Sequence, residues 1–209
     1  MSDSYQVHHT RDPLADTRVP DIHQDVFSKT TLGFWMYLMT DCLIFATLFT
    51  TYAVLHNNTF GGPSSRELYH LPTAFTETMI LLVSSLTCGL ALLSSLRSEK
   101  HKILGWLAVT FLLGASFVGI ELNEFMQMVH EGNSWRRSAF LSSFFTLVGT
   151  HGLHVSIGLL WMTVMMGQVY WLGVTVDTFR RLVVFNLFWH FLDLVWIFIF
   201  SFVYLLGVV

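Results

Sequence analysis

Residues 138–176 read SAFLSSFFTLVGTHGLHVSIGLLWMTVMMGQVYWLGVTV, 39 consecutive residues without Lys, Arg, Asp or Glu. As one helix this run would be about 58 Å long at ~1.5 Å per residue, well beyond the ~30 Å hydrocarbon core of a bilayer. Two spans joined by a turn would need more than about 40 residues. The run therefore reads as one transmembrane helix over about 139–167. Gln168–Val176, with Tyr170 and Trp171, then lies at the membrane interface. Strands do not fit, because barrel strands are about 9–11 residues of alternating polarity and this run does not alternate.

The rest of the chain follows the same pattern. Its 209 residues are 53% hydrophobic, 15% aromatic and 12% charged, whereas a soluble domain is about 25% charged. Four more apolar runs, at about 31–55, 73–96, 103–124 and 182–207, are each long enough to cross a bilayer. The predicted architecture is an all-α integral membrane protein, a bundle of five transmembrane helices over 29–209 behind a polar tail, 1–28. That tail has neither the apolar core nor the cleavage site of a signal peptide. A net charge of −3 without a basic run excludes a nucleic-acid partner. Cys42 and Cys88 lie in apolar runs and read as small packing residues.

Lys and Arg set the expected orientation. Five spans put the termini on opposite faces. The face of the N-terminus carries Arg11, Arg18, Lys29, Arg97, Lys100, Lys102, Arg180 and Arg181, and the other carries Arg66, Arg136 and Arg137. This asymmetry places the N-terminus in the cytoplasm and the C-terminus in the periplasm. Trp35, Trp106, Trp135 and Trp171 fall near span ends and suit an aromatic belt, while Trp161, Trp189 and Trp196 lie deeper and are expected between helices. Ser85 with Gly89, and Ala115 with Gly119, are small residues at the spacing that lets helices approach closely.

A charge in hydrocarbon costs roughly 2.5–3.5 kcal/mol on insertion scales, so ionisable residues inside the spans are candidate functional positions. They are Asp41, Glu77, Glu121, Glu124, His151, His154, His190 and Asp193. Three pairs share one spacing, Glu121-x-x-Glu124, His151-x-x-His154 and His190-x-x-Asp193. Residues three apart share a helix face, so each pair is expected to point into the bundle. By depth, Asp41, His151, His154 and Asp193 can meet near the midplane, and Glu77, Glu121 and Glu124 near the outer face. Three readings fit these residues: a structural or lipid-contacting hydrogen-bond network, a metal or haem site using the histidines, and a proton or ion pathway.

The motifs carry a resemblance. Span one holds Gly33-Phe-Trp-Met-Tyr-Leu-Met-Thr-Asp41-Cys-Leu-Ile-Phe45, span three Glu121-Leu-Asn-Glu124-Phe125, span four Gly149-Thr-His151-Gly-Leu-His154-Val-Ser-Ile-Gly158, and span five Phe188-Trp189-His190-Phe-Leu-Asp193-Leu-Val-Trp196. Together, over about residues 30–209, these resemble subunit III of haem–copper terminal oxidases. Cytochrome c oxidase members commonly have seven spans, and the first span here corresponds to their third. Five spans, the Met-Thr-Asp41-Cys run and the Gly61-Gly-Pro63 loop resemble the five-helix subunit III of bacterial bo-type ubiquinol oxidases.

The resemblance implies a non-catalytic subunit without haem, copper or a catalytic residue of its own. It implies bound phospholipid in a cleft between helices, and haem and copper in a partner, the catalytic subunit I. It implies a role in complex stability and proton uptake within a proton-pumping quinol oxidase of the bacterial inner membrane. A cytochrome c oxidase subunit III and a stand-alone membrane haem or metal protein are the alternatives. By motif, Asp41 corresponds to the family's carbodiimide-reactive acid, and Glu121 stands where the family has Gln.

Overall fold

The computed structural model describes residues 22–56, 71–97, 99–132 and 137–205, with side chains from 29 onward and, in the second segment, from 72. Residues 1–21 of the polar tail, Arg66, Arg136, Trp135, the Gly61-Gly-Pro63 loop and positions 206–209 lie outside the described residues. Within them are five helices long and apolar enough to cross a membrane, and no strand. They are α1 (Ile22–Leu55), α2 (Leu71–Leu96), α3 (Lys100–His130), α4 (Ala139–Leu172) and α5 (Val176–Ile199), the last continuing as a π-helical turn, Phe200–Leu205.

Several helices outrun the spans read from hydropathy. α3 extends from 103–124 to 100–130, and α4 from 139–167 to 139–172. At ~1.5 Å per residue these two are about 46 and 51 Å long, so they tilt or project beyond a ~30 Å core. Their ends are set by local chemistry rather than hydropathy. The Ser138 hydroxyl accepts from the Leu141 amide (3.1 Å) and caps α4. The Thr175 hydroxyl accepts from the Thr178 amide (3.2 Å) and caps α5. Gly173, with φ +72°, ends α4 in the left-handed region that favours glycine.

α2, α3, α4 and α5 close a ring in which each helix packs on the next and α5 returns to α2, while α1 lies along α4 and α5. The end nearer residue 29 is called proximal and the end nearer Leu55 distal. The interior is aromatic, with Phe117, Phe140, Phe144, Phe185, Trp196 and Tyr204 almost completely enclosed. The exterior is aliphatic, with Leu43, Leu112 and Leu160 among the exposed residues. Lipid tails are as apolar as leucine, so such helices are held by close packing and interhelical hydrogen bonds rather than by water exclusion. The deep tryptophans supply both. The Trp196 Nε1–H donates to Thr78 Oγ1 (3.1 Å) and the Trp189 Nε1–H to Ser84 Oγ (3.0 Å), tying α5 to α2. Thr87 and Thr110 hydroxyls, 2.8 Å apart, tie α2 to α3.

The close approaches are not at the small-residue pairs read from spacing. A Cβ at Gly89 or Gly119 would meet nothing within 4 Å. The tight glycines are Gly114 on α3 and Gly158 on α4, where a Cβ would stand 3.0 and 2.9 Å from the Trp189 ring. Four-residue spacing identifies a stripe but not the side of the helix that meets a neighbour, and Gly119 lies on an exposed face. Trp171 is exposed near the end of α4 and Trp35 near the start of the first membrane span, Lys29–Leu55, while Trp189 and Trp196 are buried between helices.

Candidate functional site

The mid-bundle residues divide into three environments. In the first, α1 presents Asp41 to α4, and Asp41 Oδ2 lies 3.8 Å from His154 Nε2. Tyr37, one turn before Asp41, directs its hydroxyl toward the same carboxyl. His154 Nδ1 is 2.8 Å from the Thr150 carbonyl oxygen. A carbonyl only accepts, so Nδ1 carries a hydrogen and Nε2 is the nitrogen facing Asp41. The 3.8 Å separation is longer than a hydrogen bond, and Asp41 Oδ2 has no hydrogen-bond partner among the described residues. Asp41 is buried, and Phe45 packs over the His154 ring (centroids 5.3 Å apart) and closes one side of the pair.

His151, three residues earlier, enters a different environment. It is fully buried, stacked on Trp196 (5.3 Å) and edge-on to Phe117 (5.9 Å). Neither ring nitrogen has a hydrogen-bond partner among the described residues. Asp193, half-buried, faces Ser85 of α2 and His190 rather than Asp41. His190 is exposed on the outside of the bundle, with Nδ1 2.8 Å from the Asn186 carbonyl oxygen. The expected meeting of Asp41, His151, His154 and Asp193 is thus reduced to Asp41 with His154, and the expected inward direction of His190 is not observed. The reason is geometric. Residues three apart on a helix of 3.6 residues per turn point about 60° apart, and on α5 the edge of the bundle falls between the two members of the pair.

The glutamates behave as depth suggested. Glu77, Glu121 and Glu124 are all buried near the distal end and lie within electrostatic reach of one another. Among the described residues neither the Glu77 nor the Glu121 carboxyl has a hydrogen-bond partner.

A groove that no sequence pattern announced lies between the distal halves of α1 and α5. Its cavity of about 550 Å³ is lined by Ala46, Phe49, Tyr52, His56, Phe198 and Phe202, among others. The walls are almost entirely apolar, and His56 supplies a polar group at the α1 terminus. The π-helical turn stacks Phe198 on Phe202 (6.1 Å) and brings Phe202 against Phe49 (6.2 Å), shaping the floor. The aromatic residues were visible in the sequence, but the departure from α-helix that aligns them was not.

The model of the cytochrome c oxidase subunit III family matches residues 5–208. The chain belongs to that family. Among its relatives, the cytochrome bo(3) ubiquinol oxidase subunit 3 of Pseudomonas aeruginosa (strain PAO1) is 52% identical over 207 residues, 99% of this chain and 95% of that protein. The quinol oxidase subunit 3 of Bacillus subtilis is 47% identical over 176 residues, 84% of this chain and 86% of its own length. The cytochrome c oxidase subunit 3 of Bacillus sp. PS3 is 46% identical over 178 residues, covering 85% and 86%.

A haem or copper centre, the alternative raised by the histidines in the sequence, needs donors that converge on one point. His151 is enclosed by aromatic rings on the faces and edge described above, and His154 is committed to Asp41 and Thr150. His190 points out of the bundle. The three imidazoles do not converge on a common point, and among the described residues no group of three or more His, Cys, Asp or Glu could hold a metal ion. The described residues do not fit a haem or copper centre.

Proposed function

We propose that this multi-pass membrane chain is the non-catalytic third subunit of a quinol-oxidising, proton-pumping haem–copper oxidase. The observation that carries the reading is the near end-to-end match to a protein named ubiquinol oxidase subunit 3, 95% of whose length is covered. In this reading the chain sits in a bacterial inner membrane with its N-terminus in the cytoplasm. Subunit I holds the haem and copper. The chain contributes packing, lipid and support for proton uptake. The side-by-side placing of Asp41 and His154 keeps two ionisable groups facing each other rather than lipid, where a lone charge is costly. The groove of α1 and α5 takes the acyl chain of a phospholipid, whose polar head is met near His56.

Affinity purification of the chain from native membranes in mild detergent tests the reading. Expected are a catalytic oxidase subunit carrying haem and copper, phospholipid in stoichiometric amount, and oxygen uptake driven by ubiquinol. A haem band that follows the chain after separation from its partners would overturn it. The relative from Bacillus sp. PS3 motivates one second reading, a cytochrome c oxidase subunit III. Oxygen uptake driven by reduced cytochrome c and not by ubiquinol would select that reading.

A further inference from the structure

We propose that the proximal corner where α3 meets α4 binds the headgroup phosphate of an anionic phospholipid, with Lys100 as its central cation. This corner lies at the opposite end of the bundle from the groove of α1 and α5, and the inference holds whichever electron donor the oxidase uses. Height is the first observation. Asp41 stands near the middle of the first span, Lys29–Leu55, and faces His154 of α4. Tyr170 is sixteen residues farther along α4, about 24 Å at ~1.5 Å per residue. Half of the hydrocarbon core is only about 15 Å, and half of the bilayer with its headgroups about 20–22 Å. The ordinary helix tilt of about 20° lowers the height only slightly. Tyr170 and the groups it touches therefore lie among the headgroups, outside the hydrocarbon.

Lys100, the first residue of α3, touches Tyr170 twice. Its Nζ donates to the Tyr170 carbonyl and stands 5.2 Å from the centre of the Tyr170 ring. An ammonium has three donors. The carbonyl takes one, so the group is held in place with donors to spare. Charge at this end is unbalanced. Among the described side chains its acids are Glu99, 2.7 Å from Lys102, and Asp177, 3.6 Å from Arg180. Arg97, in the turn before α3, Lys100 and Arg181 are left without a carboxylate among the described residues. Tyr170 and the next residue, Trp171, are 62% and 84% exposed, and such rings favour the membrane interface. A free anion would answer the cations alone. A phospholipid answers both, with its phosphate on Lys100 and its glycerol and acyl ends along the rings. A choline or ethanolamine head would bring its own cation to this corner, so a head of net negative charge fits better. Basic pockets between transmembrane helices are seats for such heads.

The test uses the whole oxidase, purified through this chain and reconstituted in phosphatidylcholine vesicles. Phosphatidylglycerol with a photoreactive diazirine near its head is added as a minor component, and phosphatidylcholine with the same label is the comparison. Adducts are mapped by mass spectrometry. The expected result is several-fold more labelling of the peptides holding Lys100 and Tyr170 by phosphatidylglycerol than by phosphatidylcholine. Lys100→Gln should lower the phosphatidylglycerol labelling about fivefold, the effect of one Lys or Arg at an anionic membrane surface, and Lys100→Arg should retain it. Should Lys100→Gln fail to assemble, Arg97→Gln carries the same expectation. Equal labelling by the two lipids, no adduct at this corner, or labelling that the Gln variants leave unchanged overturns the inference. Displacement of the labelled lipid by an excess of inorganic phosphate also overturns it, because the corner would then belong to a free anion.

Discussion

Replacing Gly158 by alanine places a methyl carbon 2.9 Å from Trp189 Cζ3 and 3.2 Å from Phe188 Cε1. Carbon atoms in ordinary contact sit about 3.5–4.0 Å apart, so the indole must withdraw by about 0.6 Å (from 2.9 to ~3.5 Å). It has little freedom to do so. Its Nε1–H is bonded to Ser84 Oγ at 3.0 Å, and the same ring approaches Gly114 so closely that a Cβ there would be 3.0 Å away. Overpacking of this kind costs about 1–3 kcal/mol. Alanine also gains about 0.8–1.0 kcal/mol of helix propensity over glycine, which would blur the comparison with wild type. Gly152→Ala removes that ambiguity. Gly152 lies on the same helix, and a Cβ there meets nothing within 4 Å. The propensity gain cancels between the two variants. Gly158→Ala should therefore be about 1–3 kcal/mol less stable than Gly152→Ala. The assay is unfolding of the purified complex in mixed micelles with increasing sodium dodecyl sulfate, followed by tryptophan fluorescence. Equal midpoints, or a later midpoint for Gly158→Ala, would show that the indole has room to move and would refute the reasoning.

Further predictions concern the polar residues. Asp41→Asn should leave assembly with the other oxidase subunits intact, because an amide matches the carboxyl in shape and its N–H can face His154 Nε2; loss of co-purification would mean that an ionised carboxylate is required. His154→Leu should shorten the thermal half-life of the complex while leaving its haem absorbance unchanged, and a bleached haem band in an otherwise intact complex would contradict the structural role. Glu121→Gln should be tolerated or mildly stabilising, since it removes one of three neighbouring acids while keeping the shape; a complex that falls apart would show that the acid is needed. Trp196→Phe removes the bond to Thr78, whose hydroxyl still donates to the Ala74 carbonyl, so the loss should stay near 0.5–1.5 kcal/mol for the bond plus packing, read from the same detergent titration.

The number of spans, their approximate positions and, among the described residues, the absence of strands were legible in the sequence. Twenty or so apolar residues must become helix in hydrocarbon, where every backbone group has to be satisfied internally. The ionisable residues stood out for the same reason, because each is costly in that medium and few are present. Depth was legible too. Counting residues from the span ends brought Glu77, Glu121 and Glu124 to one level, and the structure brings them together.

Direction around each helix was decided only by the tertiary structure. His151 and His154 are three residues apart, yet one is sealed among Trp196 and Phe117 and the other meets Asp41. Asp193 turns toward Ser85 while His190 leaves the bundle. Glycines at similar spacings proved open at 89 and 119 and tight at 114 and 158. A soluble helix announces its inner face by the contrast of polar and apolar sides. Here both sides are apolar, so hydropathy carries depth but no direction. The packing of α2–α5 into a ring, with α1 on α4 and α5, supplies the missing angle.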